Sequence, residues 1–385
     1  MKILIIDPRC VDFSSTYYYV TGLASGLSKC GDVTLAAVKE CHIGRDAEYK
    51  LKKIFYPISQ KMGEGILRKI IRGCEYIWAY IYLLIYTRIN RFDSIHIEWP
   101  IVYGADKVFF KLLKKNTKLF TLKAHNVLPH STGNSLVEIF RELYAIPDKI
   151  ILHGEGMKSE FLSLFPEYES KVVMQRHGIY TGHDISFLEE LVDMKIKERI
   201  NSYKRIYLFC GRIDEDKGVD RLVRIWKDEL DKGNSLLVIA GKVASGYSTF
   251  SEVEVMIESC NHILYQPGYI EDNLLNYLLS KAALIIMPYK QGSMSGVAFT
   301  ASEFSKPILT TRFGSIEEYV LDGQTGYVVE NEDLCIASKL AEIDNSVADE
   351  DLKLLGARMH SYFEENYQWN HIAEKLYNEV YAKLI

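Results

Sequence analysis

Short apolar runs alternate with amphipathic segments of helical length along almost the whole chain. In the first half, segments such as Tyr18–Ser28 and Asp106–Leu113 have the spacing of helices. Nearly continuous apolar strands separated by helices are typical of a parallel sheet covered on both faces, so we predict a β/α array. Its predicted strands are Lys2–Asp7, Asp32–Ala37, Ser94–Glu98, Lys118–Lys123, Lys149–Leu152 and Lys171–Met174.

The same rhythm starts again after a polar, charge-rich stretch that runs from His177 to Ser202 and contains one helical segment, Ser186–Arg199. We therefore predict two Rossmann-like α/β domains, 1–180 and 181–367, with a C-terminal helix, 368–385, that crosses back to the first domain. A length of 385 residues suits two cores better than one. The second array has the predicted strands Arg205–Cys210, Ser235–Ala240, Ile263–Tyr265, Ala283–Met287 and Pro307–Thr310, and the predicted helices Lys217–Leu230, Asn273–Lys281 and Ala298–Phe304.

Composition narrows the class of protein without changing this picture. An apolar fraction of 48% and a charged fraction of 25% are typical of a soluble globular protein. No apolar run approaches the roughly 20 residues that span a bilayer. The seven cysteines are widely spaced and form no CxxC pair. This pattern argues against a disulfide framework or a structural zinc site and favours a reducing cytoplasm.

Positive charge is concentrated in the first half. Residues 1–180 hold 25 Lys and Arg against 18 Asp and Glu, a net charge of +7, whereas the remaining residues carry −12. A basic half suits a phosphate-bearing partner or an anionic membrane, and chance scatter of solvated charges is the alternative. Within it, the segment Ile66–Arg91 is rich in Trp, Tyr and basic residues. That segment predicts either an interfacial membrane helix or a helix buried on all sides behind the Ser94–Glu98 strand.

The strongest candidate site begins where the predicted strand Arg205–Cys210 ends. Gly211 allows a sharp turn there, and a helix begins a few residues later. The N-terminus of a helix attracts phosphate, and Arg212 and Lys217 bracket the turn. The two cations can neutralise a nucleotide diphosphate as it leaves. Two solvated charges on a strand–helix loop are the alternative.

A second candidate site follows the apolar run Leu284–Met287. The segment Pro288–Val297 is rich in small and hydroxyl-bearing residues and leads into a helix, with Ser295 as a candidate N-cap. At the carboxyl end of a parallel strand, such a segment predicts an anion site made of backbone N–H groups, those of Ser295 and Gly296 among them. An ordinary capped loop is the alternative.

Five short motifs follow one another over about 120 residues: Phe209–Arg212 with Lys217–Gly218, Gly268–Ile270, Met287–Tyr289 with Ser295–Val297, Lys306–Ile308, and Gly314–Glu318 with Asp322–Gly326. In this order and spacing they resemble glycosyltransferase family four, which has the GT-B fold. The resemblance implies two Rossmann-like domains facing across a cleft. It also implies a nucleotide-diphosphate-sugar donor, bound mainly by the C-terminal domain, and an acceptor bound mainly by the N-terminal domain.

The resemblance further implies that Arg212 and Lys217 act on the leaving diphosphate with no metal ion and no other cofactor. One departure concerns two Glu residues, eight positions apart, that the family typically has before the Lys-Pro pair. Gly292 and Thr300 stand at these positions, so contacts with the donor sugar and ribose must come from elsewhere. Glu303, one turn beyond Thr300, is either a ribose contact or a solvated side chain. The donor-binding candidates are Gly211, Tyr269, Ile270, Ser295, Gly296, Val297, Thr300 and Glu318.

In the first half, the main candidate is His125, directly after a predicted strand. At this place a histidine can hydrogen-bond a sugar hydroxyl or shuttle a proton, and the family often has a His in a similar segment. The weaker candidates are His130, the segment Arg176–Gly178 and the first-loop residues Pro8–Arg9 with Ser14–Thr16, while His96 and His153 are expected to serve packing or local hydrogen bonds.

Together these features predict a retaining hexosyltransferase of the cytoplasm, peripheral on the inner face of the cell membrane. It would use a UDP- or GDP-sugar and a lipid-linked or growing oligosaccharide acceptor in surface polysaccharide or lipopolysaccharide biosynthesis, and nucleic acid is not an expected partner. Two alternatives remain open. One is a GT-B nucleotide-sugar epimerase or hydrolase, and the other is a non-catalytic sugar- or nucleotide-binding partner of another glycosyltransferase.

Overall fold

The computed structural model describes residues 1–11, 15–43, 47–129, 133–180, 182–230, 233–292 and 294–384. Within them the chain forms two compact units. The first unit comprises Met1–His183 together with Tyr367–Ile385, and the second unit comprises Asp184–Asn366.

The strands belong to two sheets. In chain order they are β1 (Lys2–Ile6), β2 (Asp32–Val38), β3 (Lys50–Phe55), β4 (Ser94–Ile97), β5 (Leu119–Lys123), β6 (Lys149–Leu152), β7 (Val172–Met174), β8 (Arg205–Cys210), β9 (Ser235–Gly241), β10 (Ile263–Pro267), β11 (Leu284–Met287), β12 (Ile308–Thr311) and β13 (Gly326–Val329).

Helices connect most of these strands. They are α1 (Ser15–Ser28), α2 (Ile66–Asn90), α3 (Tyr103–Lys114), α4 (Val137–Ala145), α5 (Glu155–Leu164), α6 (Met194–Asn201), α7 (Val219–Ile225), α8 (Phe250–Glu258), α9 (Asp272–Lys281), α10 (Val297–Glu303), α11 (Asp333–Ser346), α12 (Asp349–Asn366) and α13 (Trp369–Leu376).

Both sheets are parallel, as their paired strands show. The first has the order β3-β2-β1-β4-β5-β6-β7 and the second the order β10-β9-β8-β11-β12-β13. The inner strands are buried along all or nearly all of their length, for example Leu284–Met287 in β11. This explains their continuous apolar runs, since helices cover both faces of such a sheet. The predicted class, α/β with two Rossmann-like domains, is confirmed.

Two strands were not predicted from the sequence, and both lie at the edge of a sheet. Strand β3 contains three lysines and is only partly buried, and β13 is a short strand that begins with Gly326. Lysine and short length are common ways to prevent an exposed edge from pairing with another chain. Because lysines interrupt the apolar run of β3 and a glycine begins β13, the hydrophobic pattern does not reveal these two strands.

Two predicted helices begin later than expected. The helix predicted over Ser186–Arg199 starts at Met194, where the Asp193 carboxylate accepts a hydrogen bond from the backbone N–H of Lys195. The helix predicted over Lys217–Leu230 is interrupted at Gly218, whose φ of 69° is left-handed, and α7 starts only after it. Both corrections follow from local backbone geometry that hydrophobic spacing does not report.

Glycines form the socket that holds the C-terminal helix in the first unit. The Trp369 side chain is buried, and its indole N–H donates to the carbonyl oxygen of Ile179 at 2.8 Å. A Cβ at Gly22 in α1 would lie 2.1 Å from Trp369 Nε1, and one at Gly178 would lie 2.5 Å from the same ring. Only glycine leaves room for the indole, so the sequence of α1 is adapted to α13.

Helix α2 packs against the first unit by one face only. Tyr76, Tyr80 and Leu83 are buried, and the Tyr76 hydroxyl donates to Asp106 Oδ1 of α3 at 2.5 Å. The opposite face is exposed, so the expectation of a helix buried on all sides is wrong. Within the described part of the chain, no helix has both the length and the apolar character needed to cross a bilayer.

Candidate functional site

The donor-site candidates of the second unit lie where the strand order reverses. Strands β8 and β11 are neighbours, and the chain runs outwards from them in opposite directions. Open parallel sheets bind ligands in the crevice that forms at the carboxyl ends of such a pair. The loop after β8 carries Gly211, Arg212 and Lys217, and the loop after β11 carries Tyr289 and Ser295.

One glycine lets these two loops approach each other, and another lets the end of β9 approach Gly211. Gly218 has a φ of 69°, and a Cβ there would fall 2.0 Å from the carbonyl oxygen of Pro288. At Gly241, which ends β9, a Cβ would fall 1.7 Å from the carbonyl oxygen of Gly211. A side chain at either position would push backbone apart, so glycine is required at both.

Lys217 is held over an aromatic ring at the junction of the loops. Its Nζ lies 3.8 Å from the centroid of the Tyr289 ring, which is a cation–π contact. Burial lowers the pKa of the Lys217 ammonium group below its ordinary value. The Tyr289 hydroxyl lies 3.1 Å from Ser295 Oγ, which accepts a hydrogen bond from the N–H of Val297 in the first turn of α10. These contacts tie Lys217 to the start of that helix.

Further hydrogen bonds join the two loops, and none of them involves the Lys217 ammonium group. The backbone N–H of Lys290 donates to the carbonyl oxygen of Asp216 at 2.8 Å, and the Gln291 amide donates to Asp216 Oδ1 at 2.5 Å. The Lys290 ammonium lies 2.9 Å from Asp220 Oδ1, so that cation is neutralised. Among the residues the structure describes, Lys217 forms no such ion pair.

Arg212 is the second cation of this loop. Its side chain is 63% exposed, and Nε lies 3.2 Å from Asp214 Oδ2. A guanidinium group has five N–H donors in a planar fork, so one contact with Asp214 leaves donors for a ligand. A planar fork beside the compact ammonium of Lys217 suits two linked phosphate groups.

An aromatic pair occupies the neighbourhood of the absent carboxylates. The rings of Phe313 and Tyr289 stack with 5.1 Å between their centroids. A Cβ at Gly292, where the family typically has its first Glu, would lie 3.5 Å from the Phe313 ring. Thr300, at the second position, is half-buried in α10. Phe313 could not be identified from the sequence, because it follows β12 and comes near Tyr289 only through the pairing of β11 with β12.

The other donor candidates lie further from this group in the sheet. Tyr269 and Ile270 follow β10, which β9 separates from β8. The Tyr269 ring is 70% exposed and so is accessible to a planar ligand. Glu318 ends a short 3₁₀ turn after β12, and its carbonyl oxygen accepts a hydrogen bond from the Tyr362 hydroxyl at 3.0 Å. The structure thus joins Gly211, Lys217, Ser295 and Val297, places Arg212 beside them, and separates Tyr269 and Ile270 from them by one strand.

The first unit has a buried polar group at the carboxyl ends of its central strands. Glu98 directly follows β4, and its two carboxylate oxygens lie 3.0 Å from His96 Nε2 and 2.7 Å from His125 Nε2. His125 Nδ1 in turn lies 3.1 Å from Nε2 of His153, which directly follows β6. We call these four residues the histidine cluster. His96 and His153 therefore make the local hydrogen bonds expected of them, and Glu98 is the member that sequence reasoning missed.

The charge state of Glu98 determines where the protons of the histidine cluster lie. Burial favours the protonated acid, but His96 and His125 outweigh burial and hold the pKa of Glu98 well below its usual range. An ionised carboxylate only accepts, so Nε2 of both imidazoles carries the proton. Burial lowers the pKa of His125 to about 4, so this ring is neutral at pH 7. Both of its nitrogens are already engaged, by Glu98 and by His153.

Trp99 stacks on the His125 ring, and Arg9 in turn contacts Trp99. The indole of Trp99 stacks on His125 with 4.0 Å between centroids, and the Arg9 guanidinium lies 4.2 Å from the Trp99 ring. Asp7, at the end of β1, accepts a hydrogen bond from the Arg9 N–H at 2.7 Å. Burial, together with the nearby charge of Glu98, raises the pKa of Asp7 to about 8. Strands β1 and β4 are neighbours where the order of the first sheet reverses, so these side chains occupy its ligand-binding edge.

Of the remaining candidates in the first half, one is buried and two lie outside the described residues. His177 is buried beside Tyr19, with 4.8 Å between ring centroids, and burial lowers its pKa to about 3. His130 and Ser14 lie outside the described residues. In the described ranges, no group of three or more His, Cys, Asp or Glu side chains is arranged to hold a metal ion.

A family model described as "Glycosyl transferases group 1" matches residues 204–344. The chain is 28% identical over 257 residues to an alpha-maltose-1-phosphate synthase of Mycolicibacterium smegmatis, covering 62% of this chain and 63% of that protein. It is 24% identical over 334 residues to a lipopolysaccharide 1,2-N-acetylglucosaminetransferase of Salmonella typhimurium, covering 75% and 84%. A capsular polysaccharide biosynthesis glycosyltransferase, CapM of Staphylococcus aureus, is 24% identical over 60% of this chain and 61% of its own length. The chain thus spans less than two thirds of two of these relatives.

Solved structures resemble the chain over nearly its whole length. Sucrose-phosphate synthase from Thermosynechococcus elongatus superposes with a TM-score of 0.74 at 15% identity, covering all of both chains. Anabaena HepE in complex with UDP and glucose superposes with a TM-score of 0.71 at 11% identity, covering 98% of this chain and 99% of that one. At these identities the similarity shows the fold alone.

Proposed function

We propose that this chain, which belongs to the group 1 glycosyl transferases, moves a hexosyl unit from a UDP- or GDP-sugar to a lipid-linked or growing oligosaccharide acceptor. The relatives in lipopolysaccharide and capsule synthesis support a role in surface polysaccharide or lipopolysaccharide assembly. HepE, with UDP and glucose bound to the same fold, supports a nucleotide-sugar donor.

One observation carries the proposal: Lys217, which forms no ion pair among the described residues, and the exposed Arg212 lie in the loop at the carboxyl end of β8, next to β11. In the transfer, the bond between the anomeric carbon and the β-phosphate oxygen breaks, and its electron pair leaves with the nucleoside diphosphate. Fixed cations stabilise the negative charge that develops on the leaving group, because they need not reorganise during the reaction. Lys217 and Arg212 fulfil this role in the proposal, with no metal ion.

Donor binding extends beyond the diphosphate. The N–H groups at the start of α10, from Ser295 to Val297, receive phosphate oxygens, and Gly211 gives the ligand room to approach the backbone. The exposed ring of Tyr269 stacks on the base, and Ile270 lies beside it. Thr300 and Glu318 contact the ribose and the sugar, in place of the absent carboxylates. The Thr300 hydroxyl and the Glu318 carboxylate thus replace the two carboxylates that are typical of the family.

The first unit binds the acceptor. The acceptor oxygen bonds to the anomeric carbon and loses its proton. Because Glu98 and His153 engage both nitrogens of His125, we assign that proton to the departing diphosphate and not to the imidazole. His125 is then a positioning residue that holds Glu98 and the stacked Trp99 ring at the acceptor-binding edge of the sheet, and the reaction retains the anomeric configuration. The enzyme works in the cytoplasm at the inner face of the membrane.

A donor panel with and without acceptor tests the proposal. Wild-type protein is incubated with UDP- and GDP-hexoses, lipid-linked acceptors and a chelator, and products are identified by mass spectrometry. Acceptor-dependent transfer that survives chelation is expected. Donor hydrolysis or isomerisation without acceptor would instead indicate a hydrolase or epimerase. Nucleotide binding without turnover across the whole panel would indicate a non-catalytic partner.

A further inference from the structure

Helix α2 exposes a continuous apolar stripe on the side facing away from the first unit. Its members recur at intervals of three or four residues and so share one helix face. Three of them are among the most exposed apolar side chains of the chain: Leu67 at 64%, Trp78 at 70% and Ile89 at 73%. The stripe comprises Leu67, Ile70, Cys74, Trp78, Ile81, Ile85 and Ile89.

The stripe is unusual because the opposite face of α2 already packs against the rest of the first unit. Tyr76, Tyr80 and Leu83 are buried against the sheet and α3, so the outward residues are not needed for folding. At a rise of 1.5 Å per residue, the stripe from Leu67 to Ile89 is about 33 Å long. Contiguous apolar surface of this length marks an interaction site.

A basic groove adjoins the C-terminal end of the stripe. Residues of α2 and of the end of α3 enclose a volume of about 670 Å³. Arg88, Arg91 and Lys115 line it, together with Ile85 of the stripe. Within the described residues, none of these three cations forms an ion pair with a carboxylate. Glu75 is the one acidic residue of α2, and it accepts hydrogen bonds from backbone N–H groups of the preceding turn.

We propose that α2 lies in the plane of an anionic phospholipid bilayer, with the stripe in the acyl boundary and a phosphate-bearing lipid headgroup in the Arg88–Arg91–Lys115 groove. Charge and shape favour lipid over protein here, because uncompensated cations beside an apolar, Trp-containing helix face are the pattern of an interfacial anchor. The inference rests on the proposed function in one respect: such an anchor holds the first unit at the surface where a lipid-linked acceptor resides.

Vesicle co-sedimentation of the full-length chain tests the inference. Wild type is expected to bind vesicles that contain 30% phosphatidylglycerol, to bind pure phosphatidylcholine at least tenfold more weakly, and to be released by salt. Each basic residue close to an anionic membrane strengthens binding roughly fivefold. Arg88→Glu with Lys115→Glu should therefore weaken binding by well over tenfold. Trp78→Glu with Ile81→Glu should abolish it.

Matched controls separate these effects from changes in net charge or folding. Lys353→Glu with Arg358→Glu changes the net charge equally on α12 of the second unit, and Leu334→Glu places a charge at a comparably exposed apolar site. Both should bind vesicles like wild type, and circular dichroism should show all variants folded.

Several results would overturn the inference. Equal binding to neutral and anionic vesicles would refute the role of the groove as a headgroup site. No binding to either kind of vesicle would refute the membrane anchor. Self-association of wild type that Trp78→Glu abolishes, without vesicle binding, would assign the stripe to a protein interface. Transfer to a soluble acceptor distinguishes the two proposals. Activity without vesicle binding refutes the anchor alone, and vesicle binding without any transfer refutes the proposed function alone.

Discussion

Gly218→Ala should disrupt the donor crevice because two separate penalties apply at this position. The residue has a φ of 69°, and a left-handed conformation costs an ordinary residue about 1–2 kcal/mol. In addition, the new Cβ would fall 2.0 Å from the carbonyl oxygen of Pro288, so backbone must move. Forcing an extra carbon into a packed site costs about 1–3 kcal/mol. The free energy of unfolding of the second unit should therefore fall by about 2–5 kcal/mol.

Gly323→Ala is a closely matched control. Gly323 belongs to the same unit and has a φ of 68°, but a Cβ there would meet nothing within 4 Å. Only the conformational penalty of about 1–2 kcal/mol applies to it. Urea unfolding gives both losses, and a thermal shift with a cognate nucleotide sugar reports donor binding. Gly323→Ala should keep donor binding, whereas Gly218→Ala should lose most of it because Lys217 moves away from Tyr289. Equal losses of stability and equal donor binding in the two variants would refute the proposed contact.

Three further predictions concern other parts of the molecule. Lys217→Ala should lower kcat by about 10²–10³-fold, because a fixed charge opposite the leaving group is lost. Steady-state kinetics should show it, and Lys242→Ala should have no such effect. Asp7→Asn should stabilise the first unit increasingly between pH 4 and 8. Because the pKa of Asp7 is raised to about 8 in the folded state, between pH 4 and 8 the folded state holds a proton that the unfolded state has released. The free energy of unfolding of the wild type therefore falls as pH rises, by up to about 1.4 kcal/mol per pH unit. Urea unfolding of both proteins at several pH values tests this, and a difference in their free energies of unfolding that stayed constant with pH would contradict it. Trp369→Ala should cost about 3–5 kcal/mol, measured in the same way, because the socket beside Ile179 is left empty.

The fold class was predictable because both sheets are parallel and buried on both faces. The runs that became β1, β4, β5, β8, β9 and β11 are mostly apolar for that reason. The edge strand β3 was not predicted because three lysines interrupt its apolar run, and β13 was not predicted because it begins with a glycine and has only three apolar residues.

The candidate site was only partly predictable. Gly211, Arg212, Lys217 and Ser295 could be singled out, since each follows the end of an apolar run. Phe313 and Glu98 could not, because their importance depends on which strands are neighbours. Glu98 was taken as the last residue of a strand, and only the pairing of β4 with β5 places it beside His125. A search that also included the last residue of every predicted strand would have added Glu98 to the candidates.

The exposed stripe of α2 shows a different limit. Hydrophobic spacing identified the helix but not which of its faces is buried. Tyr76 and Tyr80 pack inward together with Leu83, whereas Tyr82, Trp78 and the isoleucines of the stripe face outward. Sequence periodicity gives two apolar faces here, and only tertiary packing distinguishes them.

Calorimetric titration with UDP and UMP, and with GDP and GMP, tests whether Arg212 and Lys217 bind a diphosphate. We expect wild type to bind the cognate diphosphate at least about tenfold more tightly than its monophosphate, because charge-assisted contacts contribute about 1.5–3 kcal/mol each. The Arg212→Ala, Lys217→Ala double variant should lose this preference while it remains folded. An unchanged preference in the double variant would show that these two cations do not bind the diphosphate.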